Sequence, residues 1–221
     1  MSNCLLCAQP LKTKTRFTES IFFSKPPSAV CPDCFASFVE IAEHHCLYCY
    51  KSNCSNTCRD CQYWQAQGRT VSHTALYEYN EAMASYFSQY KFQGDYILRK
   101  VFAKKLKMAL SQYPDYTIVP IPLSSDRLAE RGFNQVEGLL EAANIPYQSF
   151  LGKDDSERQS SKSRIERLKT DQVFYLLKES EVPDKILLFD DIYTTGATLQ
   201  LAISLFLKIG RKEIKTFSLT R

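Results

Sequence analysis

Residues 185–219 read KILLFDDIYTTGATLQLAISLFLKIGRKEIKTFSL, and this stretch decides the fold. Lys185–Phe189 is an almost wholly apolar run of strand length. Asp190–Thr198 is polar and built from small residues, a loop. Leu199–Ile209 is strongly apolar, long enough for a helix, and stops at Gly210, where a helix ends most easily. Ile214–Leu219 is the next strand. Strand, loop, helix, glycine and strand make a βαβ unit, with parallel pairing and a right-handed crossover. An α/β domain is expected.

The loop inside this unit carries chemistry. The strand delivers two adjacent carboxylates, Asp190 and Asp191, to its C-terminal end, where α/β sheets bind ligands. Thr194, Thr195, Gly196, Ala197 and Thr198 then open the helix. Small side chains leave backbone N–H groups accessible, and the helix dipole adds partial positive charge, which suits a phosphate monoester. The carboxylates suit sugar hydroxyls or a divalent cation shared with the ligand. A capped turn with two solvated aspartates is the plainer alternative. It leaves the repulsion between neighbouring like charges uncompensated.

Upstream, the pattern continues as helices and strands. Helices are expected over Glu81–Tyr90, Tyr96–Gln112 and Asn134–Ala143. In the second, Ile97, Val101, Leu106 and Leu110 fall roughly on one side. Tyr116–Ile121 reads as a strand interrupted by Pro120 and Pro122 at its exit, and Ile145–Phe150 as extended. Arg127 and Arg131 follow that exit and are suited to bidentate phosphate contact. Asp154–Lys169 is polar, with Arg158, Lys162, Arg164, Arg167 and Lys169 in its second half: either a loop closing over a ligand or a solvated surface. Between Tyr90 and Lys107, the cations Lys91, Arg99, Lys100, Lys104, Lys105 and Lys107 alternate with Tyr90, Phe92, Tyr96 and Phe102. Such a stretch can follow phosphates and stack unpaired bases. It also reads as an amphipathic helix with a lysine face, and from residues alone that reading leads.

All nine cysteines lie between Cys4 and Cys61. Eight form CxxC pairs: Cys4/Cys7, Cys31/Cys34, Cys46/Cys49 and Cys58/Cys61. Two pairs complete a tetrahedral thiolate site, so four pairs make two closed Cys4 zinc sites with a folding role. Redox pairs and buried unpaired thiols are the competing readings, weakened by the number of pairs. Sequential pairing is preferred, the first two pairs holding one ion and the last two another. An interleaved arrangement with Cys31/Cys34 facing Cys46/Cys49 stays open. Cys54 is left over, either a spare thiol or an alternative ligand. His44 and His45 read as a surface pair, since the cysteines already suffice. A module boundary is expected between Trp64 and Val71, dividing residues 1–68 from 69–221. The small first module needs a metal staple, because a short chain buries little core.

The 221 residues are 44% hydrophobic and 24% charged, with only 7 Gly and 9 Pro, which excludes disordered and collagen-like classes. The net charge of +4 is compatible with an anionic partner. The opening MSNCLLCAQP lacks the features of a secretory signal, and no apolar run approaches the ~18 residues of a membrane span. A cytoplasmic protein without membrane insertion is expected, and in a reducing compartment clustered cysteines favour metal.

The segment FDDIYTTGAT is similar to the ligand motif of type I phosphoribosyltransferases. That resemblance implies a parallel sheet flanked by helices. It also implies binding of 5-phosphoribosyl-1-pyrophosphate (PRPP) with Mg²⁺: Asp190 and Asp191 at the ribose hydroxyls and Thr194–Thr198 around the 5′-phosphate. Arg127 and Arg131 follow the turn where that fold places its pyrophosphate loop. The cysteine pairs, YKFQGD (Tyr90–Asp95), VPIPLSSDRLAERGFNQ (Val119–Gln135), RQSSKSRIERL (Arg158–Leu168) and FDDIYTTGAT occur in an order that resembles the ComF family of amidophosphoribosyltransferase-like proteins, with GntX-type proteins as relatives. Membership implies an N-terminal double zinc ribbon and the handling of incoming single-stranded DNA in natural transformation. It further implies partnership with the competence helicase ComFA. Cys54 and the histidine pair have no place in that pattern. No acceptor for a phosphoribosyl group is identified, so three functions stand: a PRPP- and DNA-binding competence protein, a metabolic phosphoribosyltransferase, and an adaptor without turnover.

Overall fold

The computed structural model describes residues 3–11, 29–154 and 172–221. Most of the basic run Asp154–Lys169 therefore lies outside the described residues. Two short helices, α1 (Pro32–Ala36) and α2 (Arg59–Ala66), accompany the cysteines. They are followed by β1 (His73–Tyr77), α3 (Glu81–Phe92), a 3-10 turn (Tyr96–Lys100) and α4 (Ala103–Leu110). Next come β2 (Thr117–Pro120), α5 (Ser125–Arg131), α6 (Gln135–Ala142) and the short strands β3 (Leu151–Lys153) and β4 (Phe174–Leu176). The last elements are β5 (Lys185–Ile192), α7 (Ala197–Lys208) and β6 (Glu213–Thr220).

Four strands form a sheet in the order β1-β6-β5-β2, with every pairing parallel. β3 and β4 pair antiparallel as a separate ribbon. The β5–α7–β6 unit matches the expected βαβ unit in content and pairing. Pro120 sits at the end of β2, an edge strand, where a missing N–H is tolerated.

Side chains alternate along β5, and the two faces bury different cores. Leu187 and Phe189 pack with Met83, Leu106 and Leu139 of α3, α4 and α6, and with Cys4 and Phe38 of the first cysteine region. Ile186 and Leu188 pack with Ala202 and Phe206 of α7, with Phe174, and with Trp64 and the later cysteines. The two cysteine groups thus rest on opposite faces of the sheet.

Three sequence readings change. Tyr96–Gln112 is not one helix: a 3-10 turn precedes α4, and its tighter winding turns Ile97 outward to 42% exposure while Leu98 is buried. The loop expected from Asp190 starts later, because β5 continues through Asp190 and Asp191 to Ile192. β1 and α5 are additional elements.

Candidate functional site

The four sulfurs of Cys4, Cys7, Cys31 and Cys34 lie within 4.8 Å of one another, and so do those of Cys46, Cys49, Cys58 and Cys61. Sequential pairing is therefore what the chain adopts. Sulfur–sulfur separations of 3.8 Å (Cys7–Cys31), 3.8 Å (Cys46–Cys61) and 3.5 Å (Cys49–Cys58) lie at or just under the ~3.8 Å edge of a zinc–thiolate tetrahedron. Backbone N–H groups of Cys31 and Cys58 donate to the sulfurs of Cys4 and Cys46 at 3.3 Å, as they do to thiolates. The residues fit two closed Cys4 zinc sites. Cys54 belongs to neither group; His44 is exposed, and His45 stacks on Tyr50.

At the far end of β5, Asp190 and Asp191 project to opposite sides. Asp191 is buried, and Lys91 Nζ, from the last turn of α3, lies 2.6 Å from its Oδ2. Asp190 is half-buried and accepts the Asp191 N–H at 2.9 Å. Burial, and then the Asp191 charge, push the Asp190 carboxyl up to about 7. Lys153 of β3 is held below its ordinary value by burial, while Asp190 pulls it back up; Arg127 and Arg131 lower it further by like charge. Burial also lowers Arg131, whose guanidinium donates to Gln135 Oε1 at 2.7 Å and lies over the Phe92 ring. Two carboxylates and four cations thus share one end of the sheet.

The turn after β5 is held open. Tyr193 N–H continues the ladder by donating to Thr220 O at 2.9 Å. Gly196 has φ 81, where a side chain would be strained, and α7 starts behind it. Ala197 N–H leans on Thr195 Oγ1 at 3.4 Å. The N–H groups of Thr194, Thr195 and Gly196 donate to no acceptor among the described residues. The buried Tyr193 hydroxyl also has no partner among the described residues and stands where a Gly196 side chain would go. The carbonyl sides are occupied instead: Arg221 Nη1 donates to Thr194 O at 2.6 Å and Trp64 Nε1 to Thr195 O at 2.7 Å.

Sequence reasoning missed Lys153, Trp64 and Arg221 at this end and placed Lys91 elsewhere. Lys91 does not join the basic stretch of Tyr90–Lys107, because it serves Asp191. Within that stretch Tyr90 and Phe102 are fully buried and cannot stack bases, while Arg99 pairs with Glu141 and Lys105 with Glu40. Lys100, Lys104, Lys107, Phe92 and Tyr96 are exposed. No helix among the described residues is long and apolar enough to cross a membrane.

A parallel α/β sheet with two cysteine-ribbon groups packed on its faces, and an acidic strand end leading into an open turn, defines the class. No family model matches the chain. A competence protein ComFC of Streptococcus pneumoniae is 48% identical over 218 residues, spanning 99% of both chains. ComFC of Bacillus subtilis is 34% identical over 227 residues, 99% of this chain and 94% of that one. Competence protein F of Haemophilus influenzae is 25% identical over 80% of this chain and 83% of its own. The chain belongs to the ComFC family of competence proteins. The adenine phosphoribosyltransferase of Saccharomyces cerevisiae superimposes over 56% of this chain and 69% of its own at 15% identity, with a TM-score of 0.32, too low to carry weight.

Proposed function

We propose that the protein serves natural transformation from the cytoplasm, handling single-stranded DNA with the competence helicase ComFA, and that it binds Mg²⁺–PRPP at the end of β5. One observation carries the ligand reading: three unpaired amides at the start of α7 beside two carboxylates and the cations Lys91, Arg127, Arg131 and Lys153. The family relationship carries the biological setting.

In this reading Thr194–Thr198 enclose the 5′-phosphate, and Asp190 and Asp191 accept from the ribose hydroxyls. Arg127, Arg131 and Lys153 face the pyrophosphate. Mg²⁺ would be held jointly by the ligand and the aspartate carboxylates, and would supply countercharge to the pyrophosphate. These residues do electrostatic work whether or not the bond at C1′ is broken. The two Cys4 groups hold structural zinc, with no coordination position left for a substrate.

Calorimetric titration with Mg²⁺–PRPP tests the ligand reading. Binding is expected for the wild-type chain and is expected to be lost in Asp190→Ala and Asp191→Ala. A folded, zinc-replete wild-type chain that gives no binding overturns it and leaves an adaptor. Pyrophosphate release with a set of nucleobases and amines separates a metabolic transferase from a binding protein.

A further inference from the structure

The turn that bears the free amides is gripped from behind by the second cysteine group. We propose that Trp64 and Arg221 are positioning residues that aim the Thr195 and Gly196 amides at the ligand, with the second Cys4 site as their anchor. The proposal rests on the ligand reading above and adds how the site is kept in its binding shape.

Peptide geometry supplies the argument. In a trans peptide the carbonyl of one residue and the N–H of the next lie in one plane and point opposite ways. No cis peptide is present among the described residues. Thr194 O and Thr195 N–H share a plane, so the 2.6 Å contact from Arg221 to that carbonyl turns the Thr195 N–H away from the cysteine group. Thr195 O and Gly196 N–H share the next plane, and the 2.7 Å contact from Trp64 does the same for Gly196. These two N–H groups belong to the three left without acceptors among the described residues. The two donors therefore act on successive planes of the binding turn without touching its ligand side.

Both donors are fixed by the cysteine group. Cys58 is the N-cap of α2, Cys61 lies in its first turn, and Trp64 follows three residues on, on the same side of the helix. The guanidinium of Arg221 lies 3.3 Å from Cys49 Sγ and 3.4 Å from Asp60 Oδ2, and stacks over the Tyr193 ring. Tyr193 packs in turn on the buried ring of His73, which is fixed by Thr216 and Ser218. The ligands of the metal site thus reach the turn through two independent side chains.

Trp64 is the single tryptophan of the chain, so an amide correlation spectrum shows one indole N–H. Trp64→Phe keeps an aromatic ring in place, removes the donor and gives up part of the buried indole's packing. Affinity for Mg²⁺–PRPP is expected to fall ~3–10-fold, the worth of one hydrogen bond, with zinc content unchanged at two. By linkage, saturating PRPP slows exchange of the wild-type indole proton by the same factor. Unchanged affinity in Trp64→Phe, or an indole proton indifferent to bound PRPP, overturns the proposal. If the wild-type chain binds neither PRPP nor inorganic phosphate, the ligand reading fails and the clamp is judged without ligand. Arg221→Gln then frees Thr194 O and speeds indole exchange, because the two held planes are adjacent. Unchanged exchange in that folded, zinc-replete variant sinks the clamp. Arg221→Lys, which keeps the charge beside Cys49 and loses the fork, takes its place should Arg221→Gln not fold.

Discussion

Lys91 Nζ stands 2.6 Å from Asp191 Oδ2, and each side chain is only 12% exposed. The pair ties the end of α3 to the end of β5. It also explains how two adjacent carboxylates coexist: one is neutralised by a partner, and the other is pushed toward its protonated form. Lys91→Met leaves Asp191 buried without its countercharge, which is expected to cost about 3 kcal/mol. Urea unfolding at pH 8 measures it. Lys91→Met combined with Asp191→Asn should recover most of the loss, and a single variant as stable as the parent would remove the pair from the account.

Asp190 gives the folded chain a particular pH dependence. Its carboxyl sits at about 7 when folded against an ordinary 3.8. Between those values the folded chain holds a proton that the unfolded chain has released. Stability from this group is therefore complete below pH 3.8, declines as pH rises toward 7, and is level above. Asp190→Asn removes the decline and is expected to be the more stable form at pH 8 by about 1–3 kcal/mol, the half-buried position moderating the full shift. Melting temperatures across pH 5–8 check this; parallel curves for the two proteins would contradict it.

Local pattern made much of this readable. Ile186–Phe189 are apolar on both faces because both faces are covered, so the strand stood out. The cysteine pairing followed chain order, and the small residues of the turn lie together. β1 escaped notice because its buried positions are His73, Ala75 and Tyr77, one polar and one small, with His73 meeting Thr216 and Ser218, so they make no apolar signal. Trp64 and Arg221 act across separations of 131 and 172 residues, at Thr195 and Cys49, and no period or motif announces such contacts. Lys91 lay in a run of cations whose members only the fold could sort.

Gly196 cannot be exchanged freely. Its φ of 81 disfavours any Cβ, and the atom added would clash with the Tyr193 hydroxyl. Gly196→Ala is expected to destabilise by at least about 1–2 kcal/mol from the backbone alone. Adding Tyr193→Phe removes the hydroxyl but leaves the ring carbon Cζ 2.6 Å from the added atom, along with the backbone strain, so rescue is at most partial. Full rescue, read by thermal unfolding, would show that the left-handed conformation is not required.

Metal content distinguishes the nine cysteines. Cys61 is buried within the second group, whereas Cys54 lies outside both. Cys54→Ser should retain two zinc ions per chain by elemental analysis. Cys61→Ser should lose the second ion, and with it the anchoring of α2, since a structural site's binding energy is folding energy. A Cys54→Ser chain with one zinc would mean that the leftover thiol is a ligand after all.

The proposed binding of single-stranded DNA would fall to particular side chains. With Tyr90 and Phe102 buried, Lys91, Arg99 and Lys105 paired and the Tyr96 ring covered by Arg99 and Phe133, the stretch offers Lys100, Lys104 and Lys107 for phosphates and Phe92 for bases. Phe92 is 73% exposed, more than an apolar ring needs for packing, and Arg131 stands beside it. Phe92→Ala is expected to weaken oligothymidylate binding about tenfold, the worth of one stacked base. Replacing the three lysines by alanine should reduce the slope of log affinity against log salt by ~2, since each phosphate contact releases most of one counterion. The two effects are separable, because stacking carries little salt dependence. If both variants bind as the parent does, α4 is an amphipathic helix with a solvated lysine face, and any DNA contact must come from another surface.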